Sequence, residues 1–203
     1  GVKTLAGTKV KGVERPETGV RVPIENEKGQ ETLEAEVALV SVGFKPNSTG
    51  IGLEELGVET DKRGFVVVDE HMRTNIPGIW AIGDVTGKLL LAHTASAMGI
   101  ISAEIIAGKE PRKLDYRMIP RATYSSPQVA SFGYTEAQAR EAGFAVKVGK
   151  FNFQANGKAL GLGEYQGWVK VVTDEKYGEI LGATIVGPEA SELLPELILA
   201  QAN

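Results

Sequence analysis

The chain has no cysteine among its 203 residues. Within it, that excludes a disulfide framework, a thiolate metal site and a redox-active dithiol. Histidine is almost as scarce. His71 has no second ligand at metal-binding spacing, and His93 has no nucleophile or carboxylate partner at a fixed interval, so neither a metal site nor a catalytic residue is expected. Long apolar runs are missing too. Stretches such as Gly99-Ile100-Ile101 and Ile105-Ile106-Ala107 are interrupted by Ser102 and Glu104, far short of the roughly 20 residues that span a bilayer. Nor is there an excess of charge of one sign. The 22 basic and 26 acidic residues are interspersed and give a net charge of −4, without the basic footprint that nucleic-acid binding requires. The opening Gly1-Val2-Lys3-Thr4-Leu5 carries no initiator Met, basic n-region or apolar h-region. It is not read as a signal peptide; a chain entered midway is the expectation, with the cytoplasm as the default location.

What is present is an ordinary folding composition, 42% hydrophobic and 24% charged, enough for one or two domains with a sizeable core. Residues 8–13 and 19–24 alternate, with turns at Pro16-Glu17-Thr18-Gly19 and at Gly29, which predicts a small antiparallel meander. Residues 36–43 form a continuous apolar run ending in Gly43, the pattern of a buried parallel strand. A single helical turn at Leu53-Glu54-Glu55-Leu56, closed by Gly57, and a strand over 64–69 follow. The stretch 89–108 reads as a helix, with Ala95, Met98, Ser102, Ile105 and Ile106 on one face and Gly108 as its stop. Residues 109–118 are the best linker. Beyond them, Thr135-Glu136-Ala137-Gln138 is a capping box opening a helix that Gly143 ends. Strand-like segments surround it at 122–124, 128–132, 144–151, 167–172 and 179–186, with turns at Asn156-Gly157 and Lys176-Tyr177-Gly178. An antiparallel sheet with helices on one side is expected. The final segment is amphipathic, and Pro195 predicts either a kink or a helix that begins near it.

The chemistry concentrates at Thr74-Asn75-Ile76-Pro77-Gly78-Ile79-Trp80-Ala81-Ile82-Gly83-Asp84. Ile79 to Ile82 suit a short buried strand bounded by Pro-Gly and Gly-Asp. In an open α/β sheet, ligands bind at the carboxyl end of such a strand. Gly83 permits close approach to the backbone, and the acceptor-only carboxylate of Asp84 suits ligand hydroxyls such as those of a sugar or polyol. The plainer alternative is that Gly-Asp closes a turn.

These residues resemble the second flavin-binding motif of the pyridine nucleotide disulfide reductases, a Thr followed by aromatic-Ala-x-Gly-Asp, with Trp80 at the aromatic position. The resemblance extends in family order. Ala38-Leu39-Val40-Ser41-Val42-Gly43-Phe44-Lys45-Pro46 is similar to the end of the NAD-binding domain, with Phe44 where Arg is usual. Residues 119–203 are similar to the dimerisation domain, most clearly at 124–136, 156–159 and 181–193. The implied architecture is α/β plus α+β. It comprises the end of an NAD-binding domain (1–46), a C-terminal segment of a Rossmann-like FAD-binding domain (47–117), and an antiparallel-sheet dimerisation domain with helices (118–203). FAD contacts are implied at Gly83, Asp84, Leu90, Leu91, Ala92 and His93, and an NAD contact at Gly43. Gly43 could instead simply let the strand exit, and His93 could cap or pack, its family role being mainly its backbone. At the start of the 89–108 helix, free amides and the helix dipole would favour negative charge on a facing flavin edge.

The family's two Gly-x-Gly-x-x-Gly turns do not occur here, nor do its redox dithiol and its C-terminal His-Glu pair. The expectation is a portion of a flavoprotein disulfide oxidoreductase, inactive by itself and forming a homodimer through 118–203. Its dimerisation segments are nearest to the lipoamide-oxidising branch. That implies NAD-linked oxidation of dihydrolipoamide and a lipoyl-bearing 2-oxo acid dehydrogenase complex as partner, with the glutathione- and mercury-reducing branches left open. A non-catalytic dimerisation or assembly module is the alternative.

Overall fold

A computed structural model describes all residues, Gly1–Asn203, and divides into two compact units, Gly1–Lys45 and Pro46–Asn203. The first unit is an antiparallel meander of β1 (Lys9–Val10), β2 (Val20–Asn26) and β3 (Gly29–Ala35), in that spatial order. The β2–β3 register pairs Asn26 with Gly29. This leaves Glu27 and Lys28 as the turn, where the Asn26 side-chain oxygen accepts from the Lys28 amide at 2.9 Å. Ile24 is the buried large hydrophobic residue of this unit.

The apolar run at 36–43 does not form the expected buried parallel strand. It lies outside every strand, and Leu39 is 91% exposed and Val42 89%. An apolar pattern expresses a tendency to be buried, but a strand also needs a neighbour to pair its peptide groups. These residues have none in the chain.

The second unit opens with a small core of Val58, Val66 and Val68, against which Leu53, Ile76, Ile79, Ala81 and Val85 pack. The Leu53–Leu56 turn forms as a hydrogen-bonded turn, Val58 N–H reaching the Leu53 carbonyl at 3.0 Å. The strands expected over 64–69 and 79–82 contract to isolated bridges, Thr60 with Val66 and Arg73 with Trp80. Neither has a long partner with which to continue a ladder, and Ile82 is exposed rather than buried.

Helix α1 (Ala92–Ile106) buries Thr94, Met98, Ile101 and Ser102. Its inward stripe includes the expected Met98 and Ser102 but leaves Ile106 exposed. The helix ends in a Schellman motif. Gly108, at φ +75°, donates to Ile105 and Lys109 donates to Glu104.

The remainder is a five-stranded antiparallel sheet of β4 (Arg121–Thr123), β5 (Gln128–Gly133), β6 (Val146–Asn152), β7 (Trp168–Asp174) and β8 (Ile180–Gly187), in the order β4-β5-β8-β7-β6. Three helices accompany it: α2 (Glu136–Glu141), α3 (Gly157–Leu162) and α4 (Ala190–Ala202). The capping box is present at Thr135 and Gln138. The turn expected at Asn156-Gly157 is instead the start of α3, with the Asn156 side chain capping the Ala159 amide at 3.0 Å.

Helices lie on both faces of the sheet, not on one. The residues Ala130, Phe132, Ala183 and Ile185 face α4 through Ala190 and Leu194, with Val169 and Val171 alongside. Helix α2 packs through Ala139 on Val172, and its Glu136 meets Lys170 at 2.7 Å. Lys170 and Val172 alternate with Val169 and Val171 along β7, so the two helices cover opposite faces. Helix α4 begins at Ala190, well ahead of Pro195, which lies inside it. The missing proline amide would have met the Ser191 carbonyl.

Candidate cofactor site

Gly83 and Asp84 open a 3-10 turn, Gly83–Thr86, whose backbone is fixed on several sides. The Thr86 hydroxyl donates to the Gly83 carbonyl at 2.8 Å, and the Gly87 amide donates to the Asp84 carbonyl at 3.0 Å. The Gly83 amide donates to the Met98 sulfur of α1 at 3.4 Å. A Cβ on Gly83 would lie 3.2 Å from the Ala95 methyl, and the residue has φ +73°. The close approach that requires glycine here is therefore made by α1. At the far end of the turn, Gly87 lies against the Phe65 ring, where a Cβ would come within 2.6 Å. The Asp84 side chain is exposed at the head of this fixed turn.

The turn packs directly on α1. Leu90 and Leu91 are half-buried leading into the helix; Ala92 and His93 are exposed in its first turn. Leu91 is the N-cap residue and provides no side-chain cap. The first helical amides thus lack a side-chain acceptor from the N-cap, at the positive end of the helix dipole. Thr94 is fully buried, and its hydroxyl has no hydrogen-bond partner; the same holds for the Trp80 indole nitrogen. His93 Nε2 lies 2.9 Å from the Pro120 carbonyl. Because a carbonyl only accepts, the imidazole donates through Nε2 and ties the helix start to the segment entering β4.

Gly83, Asp84 and Leu90 to His93 are thus all in the second unit. Gly43 belongs to the first, at φ +108° with open space where a Cβ would be. By helical spacing alone Met98 is a core residue and nothing more. Its burial was legible from helical spacing, but its service as an acceptor for Gly83 required the packed structure. Asn75 carries no sequence signal beyond its place in the Thr74 stretch. Its side chain accepts from Glu59 and donates to the Gly57 carbonyl, at 2.9 and 2.8 Å, fastening the loop before Trp80.

Burial pushes the Tyr116 hydroxyl up, and the other groups with displaced pKa values belong to ion pairs. Lys113 holds the Glu70 carboxyl below its usual range, and Lys170 with Arg140 does the same for Glu136. No group of three or more His, Asp or Glu is placed to hold a metal ion. No helix is long and apolar enough to cross a membrane.

Residues 1–99 match the family model of the pyridine nucleotide-disulphide oxidoreductases, and residues 119–203 match the dimerisation domain of the same family. The chain belongs to that family. It is 50% identical over 202 residues to a dihydrolipoyl dehydrogenase of Mycobacterium leprae, covering 99% of this chain and 43% of the relative. It is 51% identical over 206 residues to one of Corynebacterium glutamicum, covering 99% and 44%. Among solved structures, LpdA from Mycobacterium tuberculosis superposes with a TM-score of 0.89 at 28% identity, over 97% of this chain and 42% of that one. The HOCl-induced flavoprotein disulfide reductase RclA from Escherichia coli gives 0.83 at 27% identity, over 95% and 44%. The chain thus spans less than half the length of these relatives.

Proposed function

We propose that this chain serves a dihydrolipoyl dehydrogenase, contributing part of the FAD site, an edge of the NAD site and the dimerisation domain. The carrying observation is the identity of 50–51% to dihydrolipoyl dehydrogenases across 99% of the chain. The parent activity is NAD-linked oxidation of dihydrolipoamide through FAD and a dithiol, with a lipoyl-bearing 2-oxo acid dehydrogenase complex as partner and the cytoplasm as its location. FAD supplies the two-electron acceptor.

The residues present fit one side of that cofactor. The exposed Asp84 carboxylate would accept hydrogen bonds from ribitol hydroxyls, and Gly83 holds the turn against α1. The backbone at Leu90, Leu91, Ala92 and His93 would meet the pyrimidine edge at the helix start, where amide donors and the dipole would favour negative charge. Gly43 is assigned to the nicotinamide nucleotide through its backbone. We assign residues 1–46 to the NAD-binding domain, 47–117 to the FAD-binding domain and 118–203 to the dimerisation domain. No residue is assigned a catalytic role, because the dithiol must come from outside a cysteine-free chain. The 203-residue chain alone is expected to be inactive.

Equilibrium dialysis against FAD tests the site. Saturable one-to-one uptake is expected, weakened about tenfold or more by Asp84→Asn, since a hydrogen bond to a charged group contributes roughly 1.5–3 kcal/mol. Uptake equal in the two proteins would remove Asp84 from the site.

A second reading is favoured by the dimerisation-domain match and by the core of Phe132, Ile185 and Leu194 within it. On that reading the chain is an assembly module that pairs with a second copy without cofactor. A dimer in sedimentation equilibrium that takes up no FAD would support it.

A further inference from the structure

Gly83 is the first residue of the 3-10 turn, so its amide has no partner within the turn, and Ile82 ahead of it offers no side-chain cap. A buried amide in that position ordinarily finds an oxygen. Here it finds a thioether. Met98 is fully buried on α1 and receives the Gly83 N–H at 3.4 Å. Ala95, one turn earlier on the same helix face, lies against the Gly83 Cα position, and Gly99 leaves room for Ile82, whose Cδ1 would be 3.4 Å from a Cβ there. Positions i, i+3 and i+4 of α1 therefore make a small-large-small seat. It holds Ile82 and Gly83 from below while Asp84 projects outward.

We infer that Met98 is a positioning residue, its sulfur fixing the Gly83 peptide and through it the direction in which the Asp84 carboxylate is presented. The inference deepens the cofactor reading given above and rests on it for its functional meaning. A methionine supplies what no other apolar side chain does at this site: leucine-like volume with an acceptor at its tip. Leucine would keep the packing and strand the amide.

The test is amide hydrogen exchange, read residue by residue by NMR on the full 203-residue chain, in wild type, Met98→Leu and Met98→Gln. In Met98→Leu, Gly83 exchange should quicken about tenfold, the equivalent of one lost hydrogen bond, while β7 and β8 keep their protection. Met98→Gln, with an amide oxygen at similar reach, should restore slow exchange. Equal Gly83 exchange in wild type and Met98→Leu overturns the inference. If Met98→Leu melts the chain, seen as lost protection across β7 and β8, Met98→Gln against wild type decides. A shifted Gly83 amide resonance with Val171 and Ile185 unmoved supports the sulfur contact, and an unmoved Gly83 resonance overturns it. FAD dialysis of the same proteins keeps the two ideas apart. Absence of FAD uptake by wild type would defeat the cofactor reading while leaving the Met98 contact as measured. Wild-type uptake without any Gly83 response would defeat the Met98 inference alone.

Discussion

Thr94 carries a hydroxyl into a fully buried position on α1 and finds no partner for it. Burying such a group uncompensated costs about 1–3 kcal/mol on mutational scales. Thr94→Val, which keeps the shape and removes the hydroxyl, is therefore expected to raise stability by about 1 kcal/mol in urea unfolding; no gain would mean that the hydroxyl is satisfied in solution. At this scale the sequence is most informative where conformation is local. Gly108 as a helix stop, Gly143 after α2 and Thr135 as a capping residue are readable because each acts within four or five residues of itself. Gly83 was legible only as a place of close approach. That Ala95 and Met98 make the approach, from the next helix, depends on how α1 folds back over the turn.

At the scale of elements, α2 is joined to the sheet by Glu136, which meets both Arg140 on its own helix and Lys170 on β7. Lys170, with Arg140 second, holds the Glu136 carboxyl below its usual range. A carboxyl depressed in the folded state contributes stability above its unfolded pKa and loses it as pH falls through the folded value. The chain should accordingly lose stability on the acid side of the ordinary glutamate range. Lys170→Met should flatten that part of a urea-midpoint against pH curve, and an unchanged slope would show the pair to be silent. The strands of the sheet were legible because their apolar alternation and turn signals recur. Helix α3 was not. It is a single short segment whose N-cap and first residue, Asn156 and Gly157, also begin turns, and only the cap from Asn156 to Ala159 distinguishes the two.

For the whole molecule, burial is unevenly distributed. The second unit holds nearly all of the core, whereas residues 37–45 pair with nothing and leave Val37, Leu39, Val42 and Phe44 largely in water. Backbone without hydrogen bonds or cover opens at almost no cost in free energy. Amides of residues 37–45 should therefore exchange at rates near those of an unstructured peptide, and limited proteolysis should cut there first, while β5, β7 and β8 remain protected. Uniform protection from the first residue to the last would contradict this. An exposed apolar segment of this kind is also an association hazard.

The sequence by itself determined the family, the order of its segments, the absence of any dithiol, and the residues, Gly83 and Asp84 foremost, around which a cofactor side is proposed. These are written in local patterns: apolar period, caps, turn residues and one motif of eleven positions. Only the tertiary structure decided which strands exist as strands, that helices cover both faces of the five-stranded sheet, that the 36–43 run stays unpaired, and that a methionine sulfur caps the Gly83 amide. Each of these depends on a partner distant in the chain. A residue's own pattern states what it would bury or bond, and the fold states whether a neighbour is there to receive it.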